Sequence, residues 1–257
     1  MGGKFGNFGA WRPGGAAVFQ LTYLLAMPSS QLIAFDADDT LWPNQPHFDH
    51  VESQLAAILA RFGAADVIGA RLYAVQRANM HLYGYGAKSL MLTMTETAIQ
   101  LTDGAVTGAE IQQLLDLGKR LLDFPIEPLP GVHEVLGELR RRGERLMVLT
   151  KGDLFDQESK LARSGLGDFF DYVEIVSEKN EATYRRILAR HGVDPAAFVM
   201  IGNSLKSDIL PVLAVGGQAI HVPYHTTWIH EEVPAAQLVG LDFRRAEALT
   251  DVLAYLA

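Results

Sequence analysis

Leu32-Ile33-Ala34-Phe35-Asp36-Ala37-Asp38-Asp39-Thr40-Leu41-Trp42 is the stretch on which the reading of this chain turns. Its first four residues form an apolar run the length of one buried parallel strand, too short for a free-standing helix. The run breaks into carboxylates at Asp36, Asp38 and Asp39. Carboxylates this close repel one another, so a buried group of them calls for a cation or for shared protons. In an extended chain the side chains alternate, which puts Asp36 and Asp38 on the same side. Two acids on one side of a strand's carboxyl end can supply a nucleophile and a seat for a divalent metal. An isolated Asp-x-Asp is ordinarily an acidic turn capping the next element. The weight therefore falls on what lies downstream.

After Trp42 the pattern turns helical. Val51, Leu55, Ile58, Leu59 and Phe62 make one helical stripe, stopped by Gly63. Further helices are expected from Asp66 to Met80 and from Leu90 to Leu101, separated by the loop Tyr83-Gly84-Tyr85-Gly86. Thr107 is placed to cap a fourth, with Ile111, Leu114, Leu115, Leu121 and Leu122 as its stripe. No strand is expected before Pro125, and Pro125, Pro128 and Pro130 punctuate the chain. From Gly131 helices alternate with apolar strands at Leu146–Leu149, Tyr172–Val176, Phe198–Ile201 and Gln218–Val222, and a terminal helix is expected over Arg245–Leu256. The helix before the second strand ends in Arg140-Arg141-Arg142-Gly143, cations and a glycine at its negative end. This alternation predicts an α/β fold: a Rossmann-like parallel sheet with helices on both faces and right-handed crossovers. The core would comprise residues 28–42 and 129–257, with an inserted all-helical cap domain at 43–128.

Composition narrows the function. The 257 residues are 49% hydrophobic and 20% charged, with a formal charge of −8, which argues against a nucleic-acid groove or an anionic membrane surface. With no cysteine, a disulfide framework, a thiolate nucleophile and a zinc–thiolate site are excluded. No apolar run reaches the length of a membrane span, and a cytoplasmic setting is expected. Residues 1–27 are expected to be poorly ordered. The apolar run from Ala16 to Ala26 faintly resembles a secretory signal without a clear cleavage site, and Met27 is the preferred start.

Each predicted strand that could carry chemistry ends in it: Asp36 and Asp38 after the first, Thr150 after the second, Lys179 after the third, Asn203 to Asp208 after the fourth. In parallel sheets functional groups gather past these carboxyl ends. In this order the segments FDADDTL, VLTKG, SEKNEATY and IGNSLKSD resemble the four motifs of the haloacid dehalogenase (HAD) superfamily, over Leu32 to about Val222. The resemblance implies that Asp36 is a nucleophile forming an aspartyl-phosphate intermediate and that Asp38 is the general acid and base. It places Thr150 and Lys179 at the transferred phosphoryl group, with Lys151 beside them. It also implies Mg²⁺, held by the Asp36 carboxylate, the Asp38 backbone carbonyl, Asp208 and Asn203. Oxygen-only ligands at a phosphate site suit that ion. Asn203 stands where many relatives have Asp, which implies weaker metal binding. The expected function is a phosphatase acting on a small phosphorylated metabolite.

Within the superfamily a haloacid dehalogenase needs neither a metal nor an acid two residues past its nucleophile, so Asp38 favours phosphate. A receiver-like, non-catalytic phosphate-binding module is the rival from another class, but such modules are shorter and lack the helical insertion. GAKS at Gly86–Ser89 lacks the Gly-Lys pair of a P-loop, and GNSLK at Gly202–Lys206 has Lys where a nucleophile elbow needs Gly. Substrate contacts are expected from the cap. The candidates there are His81, Tyr85 and Lys88, within a wider set that includes His47, Asn79 and Tyr83. The histidine-bearing loop His221–Trp228 has no ligand rhythm, so it is expected to pack beside the site or against another subunit. Oligomeric state is not legible.

Overall fold

In the computed structural model, residues 31–256 are described. The expected extension at 1–27, with its signal-like run and the start at Met27, lies outside them. Strand β1 (Leu32–Phe35) is wholly buried. It is followed by four helices, α1 (Gln45–Ile58), α2 (Ala65–Tyr83), α3 (Ala87–Leu101) and α4 (Gly108–Leu122). The chain then alternates through α5 (Val132–Arg141), β2 (Arg145–Lys151), α6 (Leu154–Ser164), β3 (Tyr172–Val176) and α7 (Glu181–His191). It closes with β4 (Phe198–Gly202), α8 (Leu210–Ala214), β5 (Gln218–His221), β6 (Arg244–Arg245) and α9 (Val252–Tyr255).

All strand pairings are parallel, in the order β3-β2-β1-β4-β5-β6. Alternate residues explain the layers. Ile33, Phe35, Leu146, Val148, Val199 and Ile201 face one apolar cluster. Leu32, Ala34, Met147, Leu149, Phe198 and Met200 face another, which also takes in Tyr184 and Ile187 of α7. Strands apolar on both faces need cover on both, and here they have it. The first cluster runs without a break into the helical insert through Leu55, Leu72, Met94 and Leu114. Both ends of that insert are tied where Leu129 N–H donates to Leu41 O at 2.8 Å.

The chain winds from β1 towards β3 and then returns to the other side of β1 to lay down β4. At such a reversal the loops part to leave a crevice beyond the strand ends. Asp36 N–H donates to Ile201 O at 2.9 Å, so the first acidic residue is still held in the sheet as it enters that crevice.

The expected terminal helix over Arg245–Leu256 is corrected. Arg244 and Arg245 pair with Ile220 and His221 as a sixth strand, and α-helix is confined to Val252–Tyr255. Without them β5 would present an open edge, and an exposed, charged two-residue strand closes it.

Candidate active site

The crevice is built from strand ends upward. Asp36, at the end of β1, is buried and receives Lys179 Nζ at 2.5 Å and Thr40 Oγ1 at 3.3 Å. Lys179, just past β3 and 5% exposed, also donates to Asp208 Oδ1 at 2.7 Å. Asp208 lies in a wide helical turn (Leu205–Ile209) after β4, and its Oδ2 accepts from Ser204 N–H at 3.0 Å. Gly202 makes that approach possible, because a Cβ there would come within 2.2 Å of Asp208 Oδ2. One ammonium thus bridges two buried carboxylates from neighbouring strands. Burial pushes Asp36 up to about 7, with Asp208 and Asp38 adding to the rise, although Lys179 opposes it. Burial alone would lower Lys179, but Asp208 and Asp36 outweigh it and its pKa is raised.

Asp38 and Asp39 part company. Asp38 Oδ1 accepts from Trp42 Nε1 at 2.8 Å and from Lys160 Nζ at 3.1 Å, while Oδ2 accepts from Gln157 Nε2 at 2.8 Å. Lys160, on α6 and 1% exposed, also donates to Asn44 Oδ1 at 2.8 Å and pairs with Asp156 at 3.6 Å. A lysine this buried needs such partners. Asp39 adopts the left-handed φ of 61° and accepts from the N–H groups of Asn44 and Gln45 at 2.7 and 3.1 Å. It is therefore the acidic cap of the next element, while Asp36 and Asp38 line the cavity with it. Burial raises its pKa to about 7 against those hydrogen bonds.

Thr150 closes β2 with a buried Oγ1 that has no hydrogen-bond partner among the described residues. It lines the cavity and is free to meet an acceptor there. Lys151 is committed elsewhere: it donates to Glu231, lies 3.3 Å from Ser207 Oγ and sits 4.3 Å above the Tyr85 ring. Glu231 also accepts from Ser204 and from Ser207 Oγ, the latter at 2.5 Å. Burial would raise Glu231, yet Lys151 and the serine hydroxyls bring its pKa below the usual value. This carboxylate belongs to the loop after β5, whose Thr227 and Trp228 line the same cavity. His221 hydrogen-bonds Asn203 O at 2.9 Å. The histidine-bearing loop thus packs beside the site.

Of the candidates in the insert, Tyr85 alone reaches the cavity, its hydroxyl donating to Glu178. His81 is exposed and Lys88 pairs with Asp153 at 2.8 Å, both away from the cavity lining. Asn79 and Tyr83 both donate to Glu96, at 2.7 and 3.0 Å, and His47 stacks on Phe124 at 3.9 Å. The insert lines the cavity instead with Gln45, Phe48, Gln76, Met80 and Ser89. Those residues, Trp42, Gln157, Lys160 and Glu231 were not found in the sequence. A faint signal existed in the four-residue spacings Asp38–Trp42, Asp156–Lys160 and Gln76–Met80, which put each pair on one side of a turn.

The donor set bears on a metal. Among the described residues no cluster of three Asp, Glu, His or Cys side chains converges as a metal centre. What converges is Asp36, Asp208 and Asn203, with Asn203 Oδ1 accepting from Thr40 Oγ1 at 3.3 Å. These are hard oxygen donors, and Asp36 is still held high beside its lysine. Such a group fits a hard, hydrated divalent ion that brings water as its remaining ligands.

A family model described as haloacid dehalogenase-like hydrolase matches residues 31–216. A solved structure of a haloacid dehalogenase-like family hydrolase from Xanthomonas campestris is 40% identical, with a TM-score of 0.73, covering 82% of this chain and 88% of that one. A glyceraldehyde 3-phosphate phosphatase of Methanothermobacter thermautotrophicus is 36% identical over 102 residues, 38% of this chain and 45% of that protein. An N-acylneuraminate-9-phosphatase of Rattus norvegicus is 28% identical over 159 residues, 59% of this chain and 60% of that protein. The chain thus spans about half the length of the curated relatives it matches.

Proposed function

The chain belongs to the haloacid dehalogenase-like hydrolase family, and on that premise we propose that it is a Mg²⁺-dependent phosphatase of small phosphorylated metabolites. The observation that carries the proposal is the convergence of Asp36, Thr150, Lys179 and Asp208, from the ends of four strands, on one cavity. The names of the curated relatives, phosphatases of a triose phosphate and of a sugar-acid phosphate, support the substrate class.

In this reading Asp36 attacks phosphorus and the ester P–O bond breaks, leaving an aspartyl phosphate. Asp38 gives a proton to the departing alkoxide and then takes one from the water that attacks phosphorus, which releases phosphate and restores Asp36. The cage of Trp42, Gln157 and Lys160 fixes the Asp38 carboxylate for both transfers. Thr150 Oγ1 donates to a phosphoryl oxygen, and Lys179 offsets charge on Asp36 and on the phosphoryl group. Mg²⁺, held by Asp36, Asp208, Asn203 and the Asp38 carbonyl, would supply the positive charge that a dianionic ester needs beside these carboxylates. Residues 43–128 act as a cap that contacts the leaving group and keeps bulk water out.

The test is release of phosphate from p-nitrophenyl phosphate. Wild type is expected to require Mg²⁺, lose activity with EDTA, and fall by at least about 10³-fold in Asp36→Asn, in line with losing a covalent nucleophile. Equal rates for wild type and Asp36→Asn contradict the proposal.

A further inference from the structure

Glu231 is a carboxylate at the site to which the proposed reaction gives no task. It ends a short turn, Ile229–Glu231, in the loop after β5. Both of its oxygens are engaged. Oε1 accepts from the Lys151 ammonium, and Oε2 accepts from Ser204 Oγ and, at 2.5 Å, from Ser207 Oγ. The ion pair is largely shielded from water, with the Lys151 and Glu231 side chains 13% and 12% exposed. The turn is pinned from several sides. Glu231 N–H donates to Trp228 O at 2.8 Å, and Lys206 Nζ donates to His230 O at 2.7 Å. The His230 ring stacks on Tyr73 of α2 at 4.8 Å, and its Nε2 hydrogen-bonds Gln76 Oε1 at 3.1 Å.

The three donors to Glu231 come from two of the strand ends that build the site. Lys151 directly follows Thr150 at the end of β2, and Ser204 and Ser207 belong to the turn after β4 that carries Asp208. Lys151 and Glu231 also stand in the wall that the cavity shares with a second, more open one. We infer that Glu231 is a positioning residue for phosphate: it tethers the Lys151 ammonium at this wall and keeps it from closing on a phosphate group in the cavity. This rests on the phosphatase reading above and adds to it a residue that lets phosphate leave. Glu231 is the one carboxylate paired with Lys151 among the described residues. Without it, Lys151 would be a mostly buried charge with nothing to compensate it. The Tyr85 ring, 4.3 Å from Nζ, faces the ammonium but brings no net charge. The anion within reach after turnover is phosphate, and a charge-assisted hydrogen bond to it would hold the product back.

The experiment titrates inorganic phosphate into the full chain with Mg²⁺ by calorimetry, with turnover of p-nitrophenyl phosphate measured alongside. Glu231→Gln is expected to lower the phosphate Kd by about fivefold or more, the gain of a freed charge-assisted contact. The same substitution in a Lys151→Met background is expected to change Kd by less than about twofold, because the two residues act as a pair. Relief of simple repulsion by a carboxylate would act equally in both backgrounds, and a loosened loop would weaken phosphate binding in both. Equal effects in the two backgrounds, weaker binding in Glu231→Gln, or no binding of phosphate by wild type overturns the inference. If Glu231→Gln does not fold, Glu231→Asp, which draws the charge back by one methylene, is expected to lower Kd in the same direction, and an unchanged or higher Kd overturns the inference. The expected shifts without turnover of any ester remove the phosphatase reading and leave the tether. Turnover with equal effects in both backgrounds does the reverse.

Discussion

Lys160 shows how much a single side chain can decide without announcing itself. It lies on α6 among residues that look like an ordinary solvated helix face, yet it is buried and fixes Asp38 through two oxygens. Asp36, Thr150, Lys179 and Asp208 were legible because each lies in a segment that follows an apolar run and, in chain order, resembles one of four family motifs. The partners of Asp38 were not, because a polar residue at helical spacing is compatible with either face until the packing is known. Asn203 belongs to the same scale. It offers an amide oxygen where a carboxylate would add charge to the proposed metal shell, and cation affinity rises with ligand charge. Asn203→Asp is expected to lower the Mg²⁺ concentration for half-maximal phosphate release severalfold. A titration in which the variant needs as much Mg²⁺ as wild type, or more, removes Asn203 from the proposed metal shell.

At the scale of elements, the insert is held by close packing of α3 on α4 and by end chemistry. Thr107 and Glu110 form a reciprocal cap at the start of α4, as the Thr107 position led one to expect. Gly118 of α4 is a contact no sequence pattern displays: a Cβ there would lie 2.4 Å from Met91 Cε and 3.0 Å from Met91 Cβ on α3. Gly69 of α2, by contrast, has nothing within 4 Å of its would-be Cβ. Helix propensity favours alanine over glycine at both by roughly 1 kcal/mol, and overpacking costs about 1–3 kcal/mol where space is lacking. Gly69→Ala should therefore raise the urea midpoint, and Gly118→Ala should lower it. Shifts of the same sign would mean that the α3–α4 contact does not set the insert's packing. The short β6 was missed because two arginines carry no apolar alternation. Only the open edge of β5 made them a strand.

Taken whole, the molecule places the proposed reactive groups where a parallel sheet reverses its winding, beside helices whose apolar stripes join the core beneath. Sheet, insert and rim were readable from alternation, period and strand ends. The tail of the site was not, because Trp228 and Glu231 reach the cavity from a loop with no period of its own. No helix among the described residues is long and apolar enough to cross a membrane. The central claim is that chemistry at this rim passes through Asp36. Acid-quench mass spectrometry during turnover of p-nitrophenyl phosphate with Mg²⁺ tests it most directly. A phosphoryl adduct on the peptide bearing Asp36, absent from Asp36→Asn, is the predicted result, and turnover with the adduct on another residue would contradict it.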